Sequence, residues 1–486
     1  MSRIVVAGGG VTGLSIAHAI RQRDPQADVV VVEGNARPGG NVKTEMVDGY
    51  LCEWGADGFL DNAPDTLRVV REVGLEDRLL PSRDTARRRF IYSNGTLHEV
   101  PVSSLAFLRS GLLSPAGRAR ILWEPFARRR PEGDETIHDF AARRIGEQAA
   151  SVMIDSMVSG IFAGDATALS LRACFPKMWQ MEADHGGLFR ALIATRKRRR
   201  KEDAVGAPAG HLTSFIGGMT ELIEGLARSL GTAVHVSTPV TGLQRGQLQQ
   251  SFRAAAEPTG YTVVTARGPI EADAVVLTGP SSEAAALVRP FDSTLASLLD
   301  GISTAPLAVL CLGFDEAAVA RDRGPLNGFG FLVPRRERIR MLGALWESAI
   351  YPHRAPDGKA LMRVMIGGAR DPGVIALDDD ALLRVVRQEL EQTMGLRVAP
   401  EFVRIVRHSR GIPQYTVGHV ARLQRIDALL QPYPGLFLAG NSYRGVSINS
   451  CIAESGTIAD RVLAQVRRPH RQFEAAPSGN GLVVPA

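Results

Sequence analysis

Three glycines close to the amino terminus have the spacing of a nucleotide-binding turn. They are Gly8, Gly10 and Gly13, in the string Gly-Gly-Gly-Val-Thr-Gly. The first permits a tight turn, the second lets the backbone approach a pyrophosphate, and the third lets a helix pack closely on a strand. Val11 and Thr12 then begin a helix whose free N–H groups and positive dipole end attract an anion. The pattern therefore predicts a dinucleotide site.

The surrounding sequence supplies the elements that this turn requires. Residues 4–7 read as a β-branched strand, residues 14–22 have helical spacing, and residues 29–33 read as a second strand ending in Glu33. The Glu33 carboxylate can accept both ribose hydroxyls and would repel a 2′-phosphate. A tight strand–helix connection without a ligand uses the same glycines, but the strand, the spacing and the acid together favour a bound nucleotide.

A second glycine-rich unit lies near the other end of the chain. Residues 436–441 read Leu-Phe-Leu-Ala-Gly-Asn, and residues 445–449 enter a helix. Together with Arg37-Pro38-Gly39-Gly40, this unit resembles flavoproteins of the amine oxidase, carotenoid desaturase and GDP-dissociation inhibitor superfamily. The resemblance implies FAD, with a helix N-terminus that stabilises negative charge on the flavin. Cys451 lies in this unit without the local sequence of a covalent flavin attachment, so we expect non-covalent FAD.

Three further segments resemble the flavin-dependent protoporphyrinogen oxidase family: residues 159–165, 328–334 and 411–419. The likeness extends to about residue 466, and on it the chain is identified as a member of this family. It implies oxidation of protoporphyrinogen IX to protoporphyrin IX in haem biosynthesis. Hydride transfer to flavin N5 and release of hydrogen peroxide from molecular oxygen are part of that implication. No side chain is expected to act as a catalytic acid or base, because the reaction demands positioning of a large ring.

Three rival functions stay open at this point. Relatives that oxidise coproporphyrinogen III to coproporphyrin III share much of the pattern, and their four carboxylates would need more basic partners. A flavin amine oxidase would need an aromatic cage at the flavin. A non-enzymatic binding protein of the GDP-dissociation inhibitor type would not need the intact Gly8, Gly10, Gly13, Glu33 and Arg37.

The resemblance assigns four residues to the substrate. Phe329 and Leu332 match residues that clamp the macrocycle, and Met365 matches one that lines the cavity near the flavin. Arg89 matches an arginine that pairs with a propionate, a role that suits a guanidinium because its planar donors grip a carboxylate at two points. Phe, Leu and Met on strands are more often core residues, and an arginine beside two others is ordinarily solvated.

Further cofactor contacts follow from the same resemblance. The segment Gly55-Ala56-Asp57-Gly58 matches a loop at the flavin's substrate side that often reads Gly-Pro-x-Ser, so backbone contacts are expected there without the serine side chain. Val240 matches the position whose backbone meets the adenine, and His408 matches one where relatives place an aromatic residue. In the last βα unit, the expected contacts are Gly440, Val446, Ser447 and Ile448.

The order of predicted elements indicates an α/β fold, in which a Rossmann-like FAD-binding domain is combined with an antiparallel-sheet substrate domain and an inserted helical domain. Pattern changes along the chain place the boundaries. FAD-binding segments are expected at 1–85, 206–295 and 403–468, a substrate-domain hairpin at 86–100, a helical membrane-facing insert at 101–205, the substrate domain at 296–402 and a disordered tail at 469–486.

The amino-acid composition argues against several classes of protein. The 486 residues carry a formal charge of +6, with four widely separated cysteines and no metal-ligand spacing, so neither a disulfide framework nor a metal site is expected. The mild charge does not resemble that of a nucleic-acid binder. Without a spanning run or signal peptide, we expect a cytoplasmic protein attached peripherally to anionic membrane. Residues 105–108 with Leu112 and Leu113 are the predicted membrane contacts, and a homodimer stays open.

Overall fold

Strands and helices alternate along the computed structural model, which describes residues 2–101, 107, 109–128, 132–201, 210–246 and 260–467. The strands are β1 Arg3–Ala7, β2 Asp28–Val32, β3 Thr44–Val47, β4 Tyr50–Glu53, β5 Phe59–Leu60, β6 Leu79–Pro81, β7 Arg89–Ser93, β8 Thr96–Glu99, β9 Leu212–Phe215, β10 Val234–His235, β11 Val240–Gly246, β12 Gly260–Thr265, β13 Gly268–Ala272, β14 Ala274–Leu277, β15 Thr304–Asp315, β16 Gly330–Leu332, β17 Met341–Leu345, β18 Lys359–Gly367, β19 Phe402–Pro413 and β20 Leu436–Leu438.

The α-helices cover the faces of the sheets and build the inserted region. They are α1 Val11–Arg23, α2 Pro64–Glu72, α3 Pro115–Leu122, α4 Ile137–Ile145, α5 Glu147–Ala149, α6 Asp155–Phe162, α7 Leu171–Cys174, α8 Pro176–His185, α9 Leu188–Lys201, α10 Thr220–Leu230, α11 Ser281–Val288, α12 Ser293–Asp300, α13 Glu316–Arg323, α14 Glu347–Ile350, α15 Asp379–Met394, α16 His419–Leu429 and α17 Ile448–Val466. The tail predicted to be disordered, 469–486, lies outside the described residues.

A parallel sheet in the strand order β10-β2-β1-β14-β20 brings the first and last βα units together. Its strands are almost continuous apolar runs, which is typical of parallel strands buried on both faces. Ile4 and Val6 pack with α1, α10 and α17. Val5 and Ala7 pack on the other side with α11, α12 and the antiparallel sheet β11-β12-β13. The predicted α/β fold is confirmed.

The strand-rich part of the chain forms a seven-stranded sheet in the order β19-β15-β18-β17-β16-β7-β8. Its strands are antiparallel except at one place, where β7 of the early hairpin pairs with β16 in parallel. Asn94 and Gly95 have φ of 53° and 80°, as the tight hairpin turn requires. One face of the sheet packs against α15. Because β19 belongs to this sheet, the sheet continues to Pro413, past the expected boundary at residue 402.

The inserted region is helical, but it differs from the sequence prediction in two respects. The sequence of residues 136–161 has helical spacing and predicts one long helix, but the helix is broken at Gly146, whose φ of 95° cannot continue it, and residues 150–154 form a π-helical turn. Leu112 and Leu113 are buried against β7, so they are not the membrane-facing residues that the pattern predicted. Of the other predicted membrane contacts, residues 105, 106 and 108 lie outside the described residues. Among the described residues, every helix is too short or too polar to cross a bilayer.

Candidate functional site

The glycine turn lies at the carboxyl end of β1, in the middle of the parallel sheet. Gly8 has a φ of 117°, which glycine adopts readily. A side chain on Gly13 would clash with the carbonyl oxygen of Gly8, so α1 packs against the turn as closely as the backbone allows. No atom lies within 4 Å of where a Gly10 side chain would begin, and α1 has no capping side chain. The first N–H groups of this helix, from Val11 and Thr12 onward, are therefore available to an anion.

Glu33 holds this turn from the end of β2. Its Oε2 accepts the N–H of Gly9 at 2.8 Å, and its Oε1 accepts the backbone and side-chain N–H groups of Asn35 at 2.8 and 2.7 Å. Oε2 keeps a further lone pair that suits a ribose hydroxyl. The N–H of Thr238 donates to the Glu33 carbonyl at 2.7 Å, which ties the chain just before β11 and Val240 to the backbone of Glu33.

The segment Arg37–Gly40 lies directly over the glycine turn. The N–H of Gly39 donates to the carbonyl of Gly9 at 2.8 Å. Gly39 and Gly40 have φ of 113° and 57°, and each would be strained with a side chain. The Arg37 guanidinium donates to the carbonyls of Pro38 and Gly40 at 2.9 and 3.1 Å, so it fixes the shape of its own loop.

The carboxy-terminal βα unit meets the amino-terminal one at the same edge of the parallel sheet. A Cβ on Gly440, which follows β20 with a φ of 108°, would lie 3.3 Å from Thr12 Oγ1. Ser447 caps α17 by accepting the N–H of Ser450 at 3.1 Å. Ile448 is buried with the helices behind the sheet, and Val446 packs against the insert. The two glycine-led helix starts that sequence analysis singled out are thus neighbours.

These residues fit a flavin nucleotide. The open space beside Gly10 and the uncapped start of α1 suit a pyrophosphate, while the Glu33 carboxylate suits a ribose. The start of α17 would hold the flavin end, where the bound group supplies a two-electron acceptor. A side chain at Gly10 or Gly40 would fill the space that the nucleotide needs.

The predicted substrate residues lie on one face of the seven-stranded sheet. Pairing across the strands places Ile91, Leu332, Gly343 and Met365 in one row. Cross-strand partners share a face, so this row presents apolar side chains, and the Leu332 side chain lies against Gly343. Gly160 of α6 faces the row, since a Cβ there would lie 2.8 Å from Leu332 Cδ2. The insert therefore packs over the substrate face.

Arg89 and Phe329 lie together at the edge of this face. Arg89 pairs with Gly330 across the strands, two residues from the apolar row, and its guanidinium carbon is 5.0 Å from the centre of the Phe329 ring. The Arg89 side chain is exposed and has no acidic partner among the described residues. Arg88 beside it is instead paired with Glu99 at 2.8 Å. Of the two, only Arg89 is available to an anionic ligand.

A buried group of five charged side chains joins residues 55–58, which we call the flavin-side loop after the role that the resemblance implies, to the substrate sheet. We call it the junction cluster, and its members are Glu53, Asp57, Glu347, Arg354 and Arg363. The Arg354 guanidinium pairs with Asp57 and with Glu347, the latter at 2.6 Å, and Arg363 pairs with Glu347 at 2.8 Å. Three carboxylates thus face two guanidiniums.

The charge imbalance appears in the acid pKa values. Burial raises the pKa of Glu53 to about 7, and the attraction of Arg354 offsets only part of that effect. Burial and the nearby charge of Asp57 raise the pKa of Glu347. For Asp57, burial is outweighed by Arg354 and Arg363, which hold its pKa below the ordinary value. Asp57 is therefore the acid of the group that most favours its charged form, and a proton bound by the cluster belongs to Glu53 or Glu347.

In the segment 55–58, only backbone groups could make the cofactor contacts that the resemblance implies. The Asp57 side chain turns into the junction cluster, away from the position that the resemblance assigned to a cofactor contact. A Cβ on Gly58 would lie 2.5 Å from the carbonyl oxygen of Thr213, which explains why glycine replaces the serine of the related pattern. Gly55 and Ala56 complete the loop, and the Gly55 carbonyl accepts a hydrogen bond from Arg363 at 2.7 Å.

His408 contacts the same region from β19. Its Nε2 donates to the carbonyl of Trp54 at 2.8 Å, and burial lowers the pKa of the imidazole. The neutral ring therefore holds the residue just before the flavin-side loop.

Sequence reasoning missed four members of the junction cluster. Glu53 ends an otherwise apolar strand, and Arg363 interrupts the apolar run of β18. A charged residue in a fully buried strand is rare unless it is paired, so this position was a usable signal. Glu347 and Arg354 lie in short helical turns without such a pattern.

Comparison with known proteins agrees with this geometry. The profile of the flavin containing amine oxidoreductase family matches residues 11–463. The coproporphyrinogen III oxidase of Bacillus subtilis strain 168 is 29% identical over 464 residues, covering 92% of this chain and 95% of that protein. The chloroplastic protoporphyrinogen oxidase of Oryza sativa subsp. japonica is 31% identical over 475 residues, covering 92% and 85%.

A crystal structure of a protein from Exiguobacterium sp. 255-15 has the same fold. Its TM-score is 0.80 at 27% sequence identity, and the match covers 96% of this chain and 99% of that one. The chain belongs to the flavin-containing amine oxidoreductase family, and within it to the group of protoporphyrinogen and coproporphyrinogen III oxidases.

Proposed function

We propose that the chain binds FAD non-covalently and oxidises protoporphyrinogen IX to protoporphyrin IX, with molecular oxygen as the electron acceptor. The observation that carries this proposal is the apolar row of Leu332 and Met365 on the sheet face whose Arg363 contacts the flavin-side loop. A flat apolar macrocycle can lie along such a row with one face toward the nucleotide site. The names of the relatives support the same substrate class.

In this proposal the protein positions the ring and excludes water from it. Phe329 and Leu332 hold the faces of the macrocycle, Met365 lines the flavin side, and α6 packs over Leu332 at Gly160. Arg89 pairs with a propionate at the rim. Bound FAD supplies the hydride acceptor for three successive two-electron oxidations. Because no described side chain acts directly on the reacting carbon, rate depends on how the ring is oriented.

The whole proposal is tested with the purified full-length protein. We expect a yellow preparation whose FAD is released by mild denaturation and which forms fluorescent porphyrin from protoporphyrinogen IX. Gly13→Leu should abolish FAD retention, because the larger side chain forces α1 away from the turn. A colourless protein that cannot take up added FAD would overturn the proposal.

The proposed contact between Arg89 and a substrate propionate is tested by substitution, with Arg88 at the start of the same strand as a matched control. Arg89→Ala should raise KM roughly ten- to a hundredfold, because charge-assisted hydrogen bonds contribute about 1.5–3 kcal/mol. Arg89→Lys should restore part of the loss. Arg88→Ala should leave KM unchanged, since Arg88 is already paired with Glu99. Equal KM values for the wild type and Arg89→Ala would show that the carboxylates bind elsewhere.

Coproporphyrinogen III is the second candidate substrate. It is favoured by Arg83, an exposed arginine that precedes β7, whereas Arg87 is already paired with Asp84 at 3.1 Å. A substrate with four carboxylates could use Arg83 in addition to Arg89. Steady-state oxidation of both porphyrinogens distinguishes the candidates, and a higher kcat/KM for coproporphyrinogen III would reverse our preference.

We further propose that the insert, residues 101–205, contacts an anionic membrane surface from the cytoplasmic side. The support is an exposed patch in which Trp123 and Phe126 are 61% and 71% exposed, with Leu192 and Ile193 of α9 nearby. Amphipathic aromatic side chains suit the membrane interface, and arginine attracts anionic lipid. Phe126→Ser should weaken sedimentation with phosphatidylglycerol vesicles, and equal sedimentation with phosphatidylcholine vesicles would contradict the proposal.

A further inference from the structure

The junction cluster holds the backbone of the flavin-side loop at two points. Nη1 of Arg363 donates to the carbonyl of Gly55 at 2.7 Å, and Nη2 of Arg354 donates to the carbonyl of Asp57 at 3.1 Å. The segment between these carbonyls is irregular, so its shape depends on the two guanidiniums. Both guanidiniums are buried, which leaves no water to substitute for them.

Arg363 is also fixed from the substrate side. Its Nε lies 2.8 Å from Oε1 of Glu347, and it occupies β18, two residues from Met365. Residues two apart on a strand project from the same face about 7 Å apart. Arg363 is therefore the side chain that connects the strand bearing Met365 directly to the loop at Gly55.

We propose that Arg363 is a positioning residue for porphyrinogen oxidation, setting the separation between the flavin-side loop and the apolar row of the substrate face. This inference rests on the proposed function for its kinetic part. Arg363 does not touch the reacting atoms, and acts through Gly55 on one side and Met365 on the other. A misplaced ring reacts slowly even when it binds normally, so the effect falls on kcat more than on KM.

The test compares Arg363→Lys and Arg363→Met with Arg144→Lys and Arg144→Met in the full-length, FAD-loaded protein. Arg144 is an equally buried guanidinium in the insert, paired with Glu124. Four quantities are measured: FAD content, the visible absorption spectrum of the bound flavin, the unfolding temperature, and kcat and KM for both porphyrinogens.

Arg363→Lys keeps the charge but cannot bridge two partners in a fixed fork. We expect it to retain FAD, to shift the flavin absorption bands, and to lower kcat on the order of tenfold while KM changes less than about threefold. Arg144→Lys should lower the unfolding temperature and leave the spectrum and kcat unchanged. An unaltered spectrum and kcat in Arg363→Lys would overturn the proposal.

Two further outcomes distinguish a failure of the proposed function from a failure of this inference. If the wild type oxidises neither porphyrinogen, the proposed function fails, while the spectral comparison still tests how Arg363 positions the loop. If neither Arg363 variant folds, Glu347→Gln decides, because it keeps the side-chain volume and weakens the hold on Arg363. An unchanged flavin spectrum and kcat in that variant would likewise overturn the proposal.

Discussion

Two buried clusters, each with three acidic side chains and two arginines, lie in different parts of the molecule. The junction cluster contains three carboxylates and two arginines between the flavin-side loop and the substrate sheet. The insert contains a second set of three glutamates and two arginines, which we call the insert cluster: Glu124, Glu135, Arg143, Arg144 and Glu182. Their common composition makes their environments directly comparable.

The insert cluster is the better satisfied of the two. Glu124 accepts the N–H groups of Leu188 and Phe189 at 2.8 and 3.2 Å, at the start of α9, where the helix dipole favours an anion. Arg143 bridges Glu135 and Glu182 at 2.6 and 2.7 Å. Each carboxylate is thus held by guanidinium or backbone donors. This cluster ties helices together.

The junction cluster retains buried polar atoms without a hydrogen bond. They are Asp57 Oδ2, Glu347 Oε1, Arg354 Nε and Arg363 Nε. Arg363 Nε and Glu347 Oε1 are close enough to attract each other, but they lack hydrogen-bond geometry. An unsatisfied buried polar group costs free energy, so this arrangement is less stable than its counterpart. The two clusters contain the same number of charges but have different roles. The insert cluster ties helices together, and the junction cluster positions the flavin-side loop.

The largest expected effect comes from removing one guanidinium of each cluster. Arg354→Met should lower the free energy of unfolding by about 3–5 kcal/mol, because it leaves buried carboxylates unpaired. Arg144→Met should cost less, since Glu124 keeps its two backbone donors. Urea unfolding of both variants measures the difference, and an equal or larger loss in Arg144→Met would contradict the comparison.

The next effect is the pH dependence of stability contributed by Glu53. Its pKa is about 7 in the folded protein against 4.5 for an ordinary glutamate, so the folded state binds a proton more readily between these values. Stability contributed by this group is present below about pH 4.5 and is lost as the pH rises through 7. Around the carboxyl lie Arg354, Asp57, the Thr44 hydroxyl and the N–H of Met219.

Glu53→Gln removes this titration. The unfolding free energy of the variant should therefore rise relative to that of the wild type, by about 3 kcal/mol between pH 4.5 and 8. Urea unfolding at intervals of pH measures the difference curve. A flat difference curve would show that Glu53 is ionised throughout this range.

A smaller difference in stability between the two clusters is expected when one glutamate of each is replaced by glutamine. Glu124→Gln removes the charge from bonds to Arg144 and to the start of α9, and should cost about 1.5–3 kcal/mol. Glu347→Gln replaces a carboxyl group that favours its protonated form by a neutral amide of the same size, and should cost less than about 1 kcal/mol. Chemical unfolding at pH 7.5 compares them, and the reverse order would contradict the assignment of the bound proton.

The sequence predicts best what depends on neighbouring residues. Helical spacing over residues 379–394 predicts α15, which lies there because Asp378 caps its start and Gly395 ends it in a left-handed conformation. The glycine turn of residues 8–13 is likewise visible as a local motif. By contrast, the sequence of residues 234–243 reads as a single strand, and the structure divides it between β10 and β11. Ser237 has a φ of 49°, and Thr238 bonds instead to the Glu33 carbonyl, so the chain leaves one sheet for another.

The junction cluster could not be predicted in this way. Its partners lie far apart in the chain, Glu53 and Arg354 being separated by 301 positions, so no local pattern places them together. Sheet pairing brings Arg363 beside Glu347, and only the docking of that sheet on the flavin-side loop adds Asp57. The substrate residues could be predicted from the family resemblance. The buried charges that hold them in place could not, because those charges meet only through tertiary contacts.

The smallest expected effect concerns an exposed ion pair of good geometry, which separates the role of burial from that of charge. Arg88 and Glu99 form hydrogen bonds at 2.8 and 3.2 Å, yet their side chains are 43% and 46% exposed. Water and salt screen such a pair, and ordering two long side chains costs entropy, so it contributes no more than about 1 kcal/mol. Glu99→Gln should therefore change the free energy of unfolding by less than that, and the change should shrink further in 0.5 M salt, where the Debye length is on the order of 4 Å. The Glu124→Gln loss in the insert cluster should persist at the same ionic strength, because mobile ions cannot approach a buried carboxylate. Denaturation of the two variants at low and high salt measures this contrast, and a Glu124→Gln loss that fell with salt as steeply as that of Glu99→Gln would show that the insert cluster is accessible to solvent.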